Sequence, residues 1–129
     1  MFQVRDGLYY TKDHEWIKVD GKRAKFGIAD YAQHEMGDLV YIDIPEIGTH
    51  IAKDEEIGAM ESVKSVEPIY APVSGTIVEI NGDLDNSPET INKEPYDNGW
   101  IAVIEMDNPS ETDSLENAHA YRDRLGEEE

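Results

Sequence analysis

The sequence predicts an all-β fold, a sandwich or barrel of short antiparallel strands. Segments rich in Val, Ile, Tyr and Trp recur about every 8 to 12 residues, and turns that contain Gly or Pro separate them. The chain has 129 residues, the length of one domain. We therefore expect a single domain over residues 1–129, with a β core over about 4–107 and a helical segment over about 110–126.

The first third of the chain is predicted to form three strands and a short helix. Alternating apolar residues favour strands over residues 4–10, 16–19 and 24–28. A Gly-containing turn over residues 20–23 joins the last two. Asp30 is predicted to cap a two-turn helix that Gly37 ends.

The rest of the core is predicted to be strands, followed by a C-terminal helix. Strands are expected over residues 39–44, 50–60, 66–71, 76–80 and 99–104. A polar loop over residues 81–96 is long enough to be functional or to lie over the core. After Pro109, apolar or long side chains recur at helical spacing, at Leu115, Ala118, Arg122 and Leu125. We expect this helix to cover a sheet edge.

Composition excludes several chemistries. There are no cysteines, so the chain itself offers no disulfide, zinc–thiolate site or thiol nucleophile, and any redox sulfur must be attached to it. No apolar stretch approaches the roughly 20 residues of a membrane span. The N-terminus lacks the apolar region of a signal peptide. We expect a soluble, cytoplasmic protein.

The chain is strongly acidic, with 29 acidic and 11 basic residues and a net charge of −18. This charge repels phosphate backbones and anionic lipids, so neither nucleic acid nor membrane is an expected partner. Two hypotheses explain the acidity: a halophilic source, in which salt screens the self-repulsion, or docking to basic partner proteins. The sequence leaves both open.

Lys64 is the main candidate for a functional residue. It lies in Glu61-Ser62-Val63-Lys64-Ser65, between two predicted strands, and is therefore expected at the tip of a β-hairpin. An isolated surface lysine usually only adds solubility. A carrier lysine, however, needs a rigid turn on which an enzyme can dock and an uncrowded amine, and this segment offers both.

Few other residues suggest chemistry. The four histidines lack metal-ligand spacing, so no metal site is expected; they are His14, His34, His50 and His119. Most carboxylates are expected to be solvated. Glu15 differs, because it lies between aromatic residues in a segment that could line a cleft and hold a cationic amine. The alternative is a loop that a buried Trp16 holds in place.

A series of motifs resembles one family over almost the full length of the chain. The motifs are Tyr10-Thr11, His14-Glu15-Trp16, residues 27–32, Gly37-Asp38, Ile44-Pro45, Gly48, residues 61–65, residues 72–75, Asn81, residues 92–96 and Gly99-Trp100. Each motif is modest by itself, but their order and spacing together resemble the glycine cleavage system H proteins.

The resemblance implies a hybrid barrel-sandwich of two antiparallel sheets, the lipoyl-carrier type of domain. It implies lipoic acid in amide linkage to Lys64, with Glu61, Ser62, Val63 and Ser65 as the motif that the attaching enzyme recognises. It also implies that Glu15 lines a cleft that shelters the aminomethyl-bearing arm.

The resemblance further implies a carrier that catalyses no step itself. Its implied partners are glycine decarboxylase (P protein), aminomethyltransferase (T protein), dihydrolipoyl dehydrogenase (L protein) and a lipoate ligase or transferase. An H-like protein can also act as a lipoyl donor or as a carrier in another pathway, and the sequence leaves that alternative open.

Two positions depart from the family pattern. Some members have a histidine where this chain has Glu35, with His34 one place earlier, and Glu67-Pro68 replaces a more common polar pair. We expect the cleft to differ in detail if these residues line it.

Three other classes fit the sequence less well. Biotin carriers present their lysine between methionines, whereas Lys64 lies between Val63 and Ser65. Lipoyl domains of 2-oxoacid dehydrogenases are shorter and do not need the region around Glu15 or a terminal helix. An enzyme using Lys64 as a Schiff-base nucleophile would need a desolvated amine, which a hairpin tip does not provide.

Overall fold

The computed structural model describes residues 2–128. Within this range there are ten strands, which are β1 (Tyr9–Tyr10), β2 (Glu15–Asp20), β3 (Arg23–Ile28), β4 (Leu39–Asp43), β5 (His50–Ile51), β6 (Glu56–Ser62), β7 (Val66–Tyr70), β8 (Gly75–Ile80), β9 (Ala102–Met106) and β10 (Glu116–Asn117). The α-helices are α1 (Asp30–Met36), α2 (Thr90–Lys93) and α3 (Ala118–Glu128), and 3-10 helices span Gly82–Asp85 and Pro109–Ser114. Across residues 2–128, no helix has the length and apolar character needed to cross a membrane.

The strands form two antiparallel sheets, which confirms the predicted fold class. Seven strands pair in the order β10-β1-β2-β3-β9-β8-β5, and three pair in the order β4-β6-β7. The alternation of side chains along each strand directs one face of each sheet inward. The short sheet therefore presents its outer face, and the hairpin formed by β6 and β7, to solvent.

One apolar cluster packs the two sheets together, and a second packs α3 on the larger sheet. The larger cluster contains buried residues from both sheets, including Ile17, Phe26, Ile69, Ile77 and Ile104. The smaller lies under α3 and consists of Tyr10, Trp16, Ala29, Tyr96, Ala118, Tyr121 and Leu125. The loop over residues 81–96 contains the first 3-10 helix and α2, and it lies over the core because Leu84 and Ile91 are buried.

Two predicted strands were too long, and the strand predicted over residues 99–104 begins only at Ala102. The strand expected over residues 4–10 is confined to β1, because the chain turns at Asp6 and Gly7, where Gly7 has φ +83°. The arm expected over residues 50–60 is split between β5 and β6, which belong to different sheets. The turn between them includes Asp54 with φ +71°, a backbone conformation that ends the extended strand.

The predicted cap of α1 was wrong by one residue, although the helix ends where predicted. Ala29 occupies the N-cap position without a side-chain bond, and Asp30 lies in the first turn. The Asp30 carboxylate instead accepts hydrogen bonds from Gln33 Nε2 and from the Gln3 backbone N–H, each at 2.8 Å. Gly37 ends the helix with φ +81°, as predicted.

The C-terminal segment is helical in two parts rather than one. Between the 3-10 helix and α3, β10 pairs with β1, with Tyr9 opposite Asn117. The backbone groups at the edge of β1 need hydrogen-bond partners, and β10 provides them. A continuous helix could not, because its backbone groups bond one another. Along α3, the buried residues are Ala118, Tyr121 and Leu125, whereas Arg122, predicted on the packed face, is exposed.

Candidate functional site

Lys64 lies at the tip of the β6–β7 hairpin, as the sequence predicts. Glu61 pairs with Val66 at the last rung of the ladder, and residues 63–65 connect the two strands. The lysine side chain is exposed. The two paired strands hold its backbone while the amine reaches solvent.

Ser62 shapes this turn from within. It is only 6% exposed, and its Oγ accepts hydrogen bonds from the backbone N–H groups of Lys64 at 3.2 Å and Ser65 at 3.1 Å. Its own N–H donates to the Ser65 carbonyl at 2.8 Å, and the Val63 N–H donates to the Asp38 carbonyl at 3.0 Å. Serine hydroxyls commonly organise turns through such bonds. The turn is therefore rigid independently of the lysine side chain.

The stem of Lys64 lies against the end of α1. A β-carbon placed on Gly37 would be 3.4 Å from Lys64 Cε and 3.8 Å from Cδ. Gly37 thus adopts a positive φ, which glycine tolerates, and its missing side chain leaves space beside the lysine stem.

A cleft of about 470 Å³ opens between α1 and the β6–β7 hairpin. Its walls include Glu15, Tyr31, Glu35, Met60, Glu67 and Tyr70. Met36 also lines it, and this residue immediately precedes Gly37, beside which the lysine stem lies. The cleft consequently extends from Met36, one residue before Gly37, to the loop that joins β1 and β2, and Lys64 itself is not among its lining residues.

Glu15 provides the buried acid of the cleft. Its side chain is 3% exposed, and Thr11 Oγ1 donates a hydrogen bond to Oε1 at 3.3 Å. Burial raises the pKa of the Glu15 carboxyl well above its usual value, and the charge of Asp13 raises it further. Hydrogen bonds from Thr11 and from the Tyr70 backbone oppose this shift. A cation in the cleft would favour the ionised carboxylate.

The structure places Glu15 in the wall of the cleft and also shows the buried Trp16 that the alternative interpretation requires. Trp16 is 1% exposed, and its Nε1 donates to the Pro95 carbonyl at 2.8 Å. The buried indole anchors β2 from one side, while the neighbouring Glu15 points into the cleft from the other.

The unusual residues Glu35, Glu67 and Pro68 all line the cleft. Glu35 and Glu67 are exposed, so they add carboxylates at its rim. His34 is not among the lining residues; its Nε2 lies 3.6 Å from Asp30 Oδ1 and its ring packs on Phe2. The rim is thus more acidic than it would be with a histidine at position 35.

No metal centre is formed by the part of the chain that the structure describes, since no group of three His, Asp or Glu side chains there is arranged to hold an ion. His14 Nδ1 lies 2.8 Å from the Tyr121 hydroxyl instead. The pairing of His14 with α3 had no sequence signal, because 107 residues separate the partners. The role of Ser62 in the turn could have been inferred from local turn chemistry.

A small two-sheet domain that presents a lysine on a rigid hairpin beside a cleft is the architecture of a carrier that holds a swinging group. A sequence model described as "Glycine cleavage H-protein" matches residues 8–128. The chain belongs to the glycine cleavage H-protein family.

Individual relatives agree with this assignment. The chain is 48% identical over 126 residues to "Glycine cleavage system H protein 4" of Aquifex aeolicus, covering 98% of this chain and 74% of the relative. It is 46% identical over 121 residues to the glycine cleavage system H protein of Bacillus subtilis, covering 94% and 95%. The crystal structure of a glycine cleavage system H protein from Mycobacterium marinum superposes with a TM-score of 0.87 at 33% identity, covering 95% of this chain and 99% of that one.

Proposed function

We propose that this protein is the lipoyl-bearing carrier of a glycine cleavage system. It transfers the aminomethyl group of glycine from the decarboxylase to the aminomethyltransferase and passes electrons to the dihydrolipoyl dehydrogenase. It is a component of the system and catalyses no step itself. The observation that carries the proposal is the position of Lys64, in a family member, on a rigid turn beside a cleft.

The residues around Lys64 fit a long amide-linked group. The amine is exposed, the turn is held by Ser62, and Gly37 leaves room for the lysine stem. Bound lipoic acid would supply the disulfide that this cysteine-free chain lacks. Glu61, Ser62, Val63 and Ser65 are the proposed recognition motif for the attaching enzyme.

The cleft is proposed to shelter the loaded arm. The Glu15 carboxyl would hold the cationic amine by a charge-assisted hydrogen bond, and the carboxylates of Glu35 and Glu67 would favour the same charge at the rim. The apolar wall, which includes Met60 and Tyr31, would exclude water. Together these groups would slow loss of the amine before the next enzyme docks.

The surface around the lysine is suited to docking enzymes. Exposed apolar residues flank it: Val63 is 70% exposed, Val66 65% and Tyr41 57%. Tyr41, Glu61 and Val66 lie in register across the outer face of the short sheet. Exposed apolar patches with charged neighbours commonly mark interaction sites. The proposed partners are the P, T and L proteins and a lipoate ligase or transferase.

The competing class, an enzyme with Lys64 as a Schiff-base nucleophile, is disfavoured by the site. Such a lysine needs a desolvated environment, whereas Lys64 is exposed at a hairpin tip. A swinging carrier instead requires that exposure.

Intact mass spectrometry tests the proposal. We expect a lipoyl mass increase after incubation with lipoate, ATP and a lipoate ligase, and no increase in Lys64→Arg. The modified protein should then support glycine–bicarbonate exchange with its cognate decarboxylase. Modification without exchange would indicate a carrier or lipoyl donor in another pathway, and exchange by Lys64→Arg would contradict the attachment site.

A further inference from the structure

The loop between β1 and β2, residues 11–14, is built around one hydroxyl. Thr11 Oγ1 accepts hydrogen bonds from the backbone N–H groups of Asp13 and Glu15, each at 3.2 Å, and donates to Glu15 Oε1 at 3.3 Å. A hydroxyl has one proton and two lone pairs, so these three bonds use its full capacity. The position of Thr11 therefore determines where Oε1 of the Glu15 carboxyl is held.

This loop is also strained. His14 has φ +63°, an uncommon conformation for a residue with a β-carbon. Such conformations persist when surrounding contacts over-determine them. The local bonds include the His14 N–H to the Thr11 carbonyl at 3.1 Å and the Ala29 N–H to the His14 carbonyl at 2.8 Å.

Further restraint comes from the distant end of the chain. In α3, Arg124 Nη2 donates to the Thr11 carbonyl at 2.9 Å, across 113 residues. Arg124 Nε donates to the two Glu116 carboxylate oxygens at 2.9 and 3.0 Å. The guanidinium carbon also lies 5.0 Å from the centre of the Tyr121 ring. Glu116 and Tyr121 thus orient the planar guanidinium group of Arg124, which bonds the Thr11 carbonyl.

Tyr121 adds a second contact between α3 and the loop. Its ring is buried and stacks on Tyr10 with the centres 4.2 Å apart. Its hydroxyl lies 2.8 Å from His14 Nδ1, while Arg124 Nη1 lies 3.4 Å from His14 Nε2. Because a guanidinium can only donate, Nε2 is the acceptor in that contact. For a neutral imidazole, Nδ1 then carries the proton and donates to Tyr121.

We propose that Arg124 is a positioning residue for the Glu15 carboxyl: through Thr11, the C-terminal helix determines how the acid of the cleft is presented. The effect of this positioning on a loaded arm rests on the proposed function, but the positioning itself concerns only residues of this chain. Loss of the Arg124 fork should let the loop relax, admit water and expose the carboxyl.

The first test uses the unmodified protein and measures the titration of the Glu15 carboxyl by carbon NMR. In Arg124→Gln we expect its pKa to fall towards that of a solvated glutamate. Arg124→Lys should give the same fall, because lysine keeps the charge but not the fork. Arg122→Gln is the matched control. Arg122 lies on the same helix as Arg124, but it bonds the Val4 carbonyl and Asp6, away from the cleft.

Each outcome decides the proposal. An unchanged Glu15 titration in folded Arg124→Gln would overturn it, and so would an unchanged titration in Arg124→Lys, which would show that the guanidinium fork is not needed to position the carboxyl. If Arg124→Gln does not fold, the titration in Arg124→Lys, which keeps a cation on the helix, decides the proposal.

The second test is a double-mutant cycle on ammonia release from the loaded protein. We expect Glu15→Ala and Arg124→Gln each to shorten the lifetime by about five-fold, and the double variant to be no worse than Glu15→Ala. Additive effects would overturn positioning through Glu15. An unchanged lifetime in Glu15→Ala would instead contradict the proposed role of the cleft, while the NMR result would still decide the positioning.

Discussion

Replacing Ser62 with alanine tests whether the lysine is presented by a preorganised turn. The substitution removes one hydroxyl that accepts from the N–H groups of Lys64 and Ser65 and lies 3.3 Å from the Ser65 carbonyl. The ladder bond from the Ser62 N–H to the Ser65 carbonyl remains, because it uses only backbone atoms. The hairpin should therefore still form, with a loose tip.

The expected cost follows from these bonds. A hydrogen bond contributes about 0.5–1.5 kcal/mol net, and groups near the surface recover part of that from water. Two lost acceptor contacts then give a loss of about 1–2 kcal/mol in the free energy of unfolding. For a chain of 129 residues, this corresponds to a fall of roughly 3–8 °C in the melting temperature.

Three measurements check this prediction. Urea unfolding gives the stability change, hydrogen exchange reports the amides of Lys64 and Ser65, and ligase kinetics report kcat/KM for lipoate attachment. We expect lower stability, faster exchange at both amides and slower attachment. The control is Ser65→Ala, since the Ser65 hydroxyl contacts Ser62 Oγ at 3.3 Å but is bonded to neither amide. Unchanged exchange and attachment in Ser62→Ala would refute the reasoning.

Two further predictions concern charge. Burial raises the pKa of the Glu15 carboxyl in the folded state, so the folded protein binds this proton more tightly than the unfolded chain does. The stabilising contribution of this group is therefore lost as the pH rises from about 4 through the folded pKa. Thermal melts over this range should show a smaller loss of stability in Glu15→Gln. If the net charge of −18 reflects a halophilic source, the melting temperature should rise from low to molar KCl. Equal melting temperatures at both salt extremes would contradict the halophile hypothesis.

The hairpin around Lys64 was predictable because its signals are local. Alternating apolar residues and turn-forming neighbours place the lysine between strands, whatever the rest of the chain does. Its role as the attachment point stays a prediction from the family resemblance. The strand predicted over residues 50–60 failed for a non-local reason: the chain leaves one sheet after β5 and enters the other at β6. Periodicity alone does not show which sheet a segment joins.

The N-terminus of α1 illustrates a second limit. Aspartate is a favoured capping residue, but Asp30 lies one place inside the helix, where its carboxylate bonds Gln3 and Gln33 instead. The packed face of α3 shows the same limit, because helical spacing admits either Arg122 or Tyr121. Stacking on Tyr10 selects Tyr121.

The sequence by itself determined the all-β class, the family and the lysine on its hairpin, because these depend on short-range patterns and on motifs in a fixed order. Only the tertiary structure decided that Glu15 is buried in the cleft, that Glu35 and Glu67 form its rim, and that Arg124 holds Thr11. The physical reason is that burial and hydrogen bonding depend on which surfaces meet. The partners in the last contact are 113 residues apart, a separation that no local pattern spans.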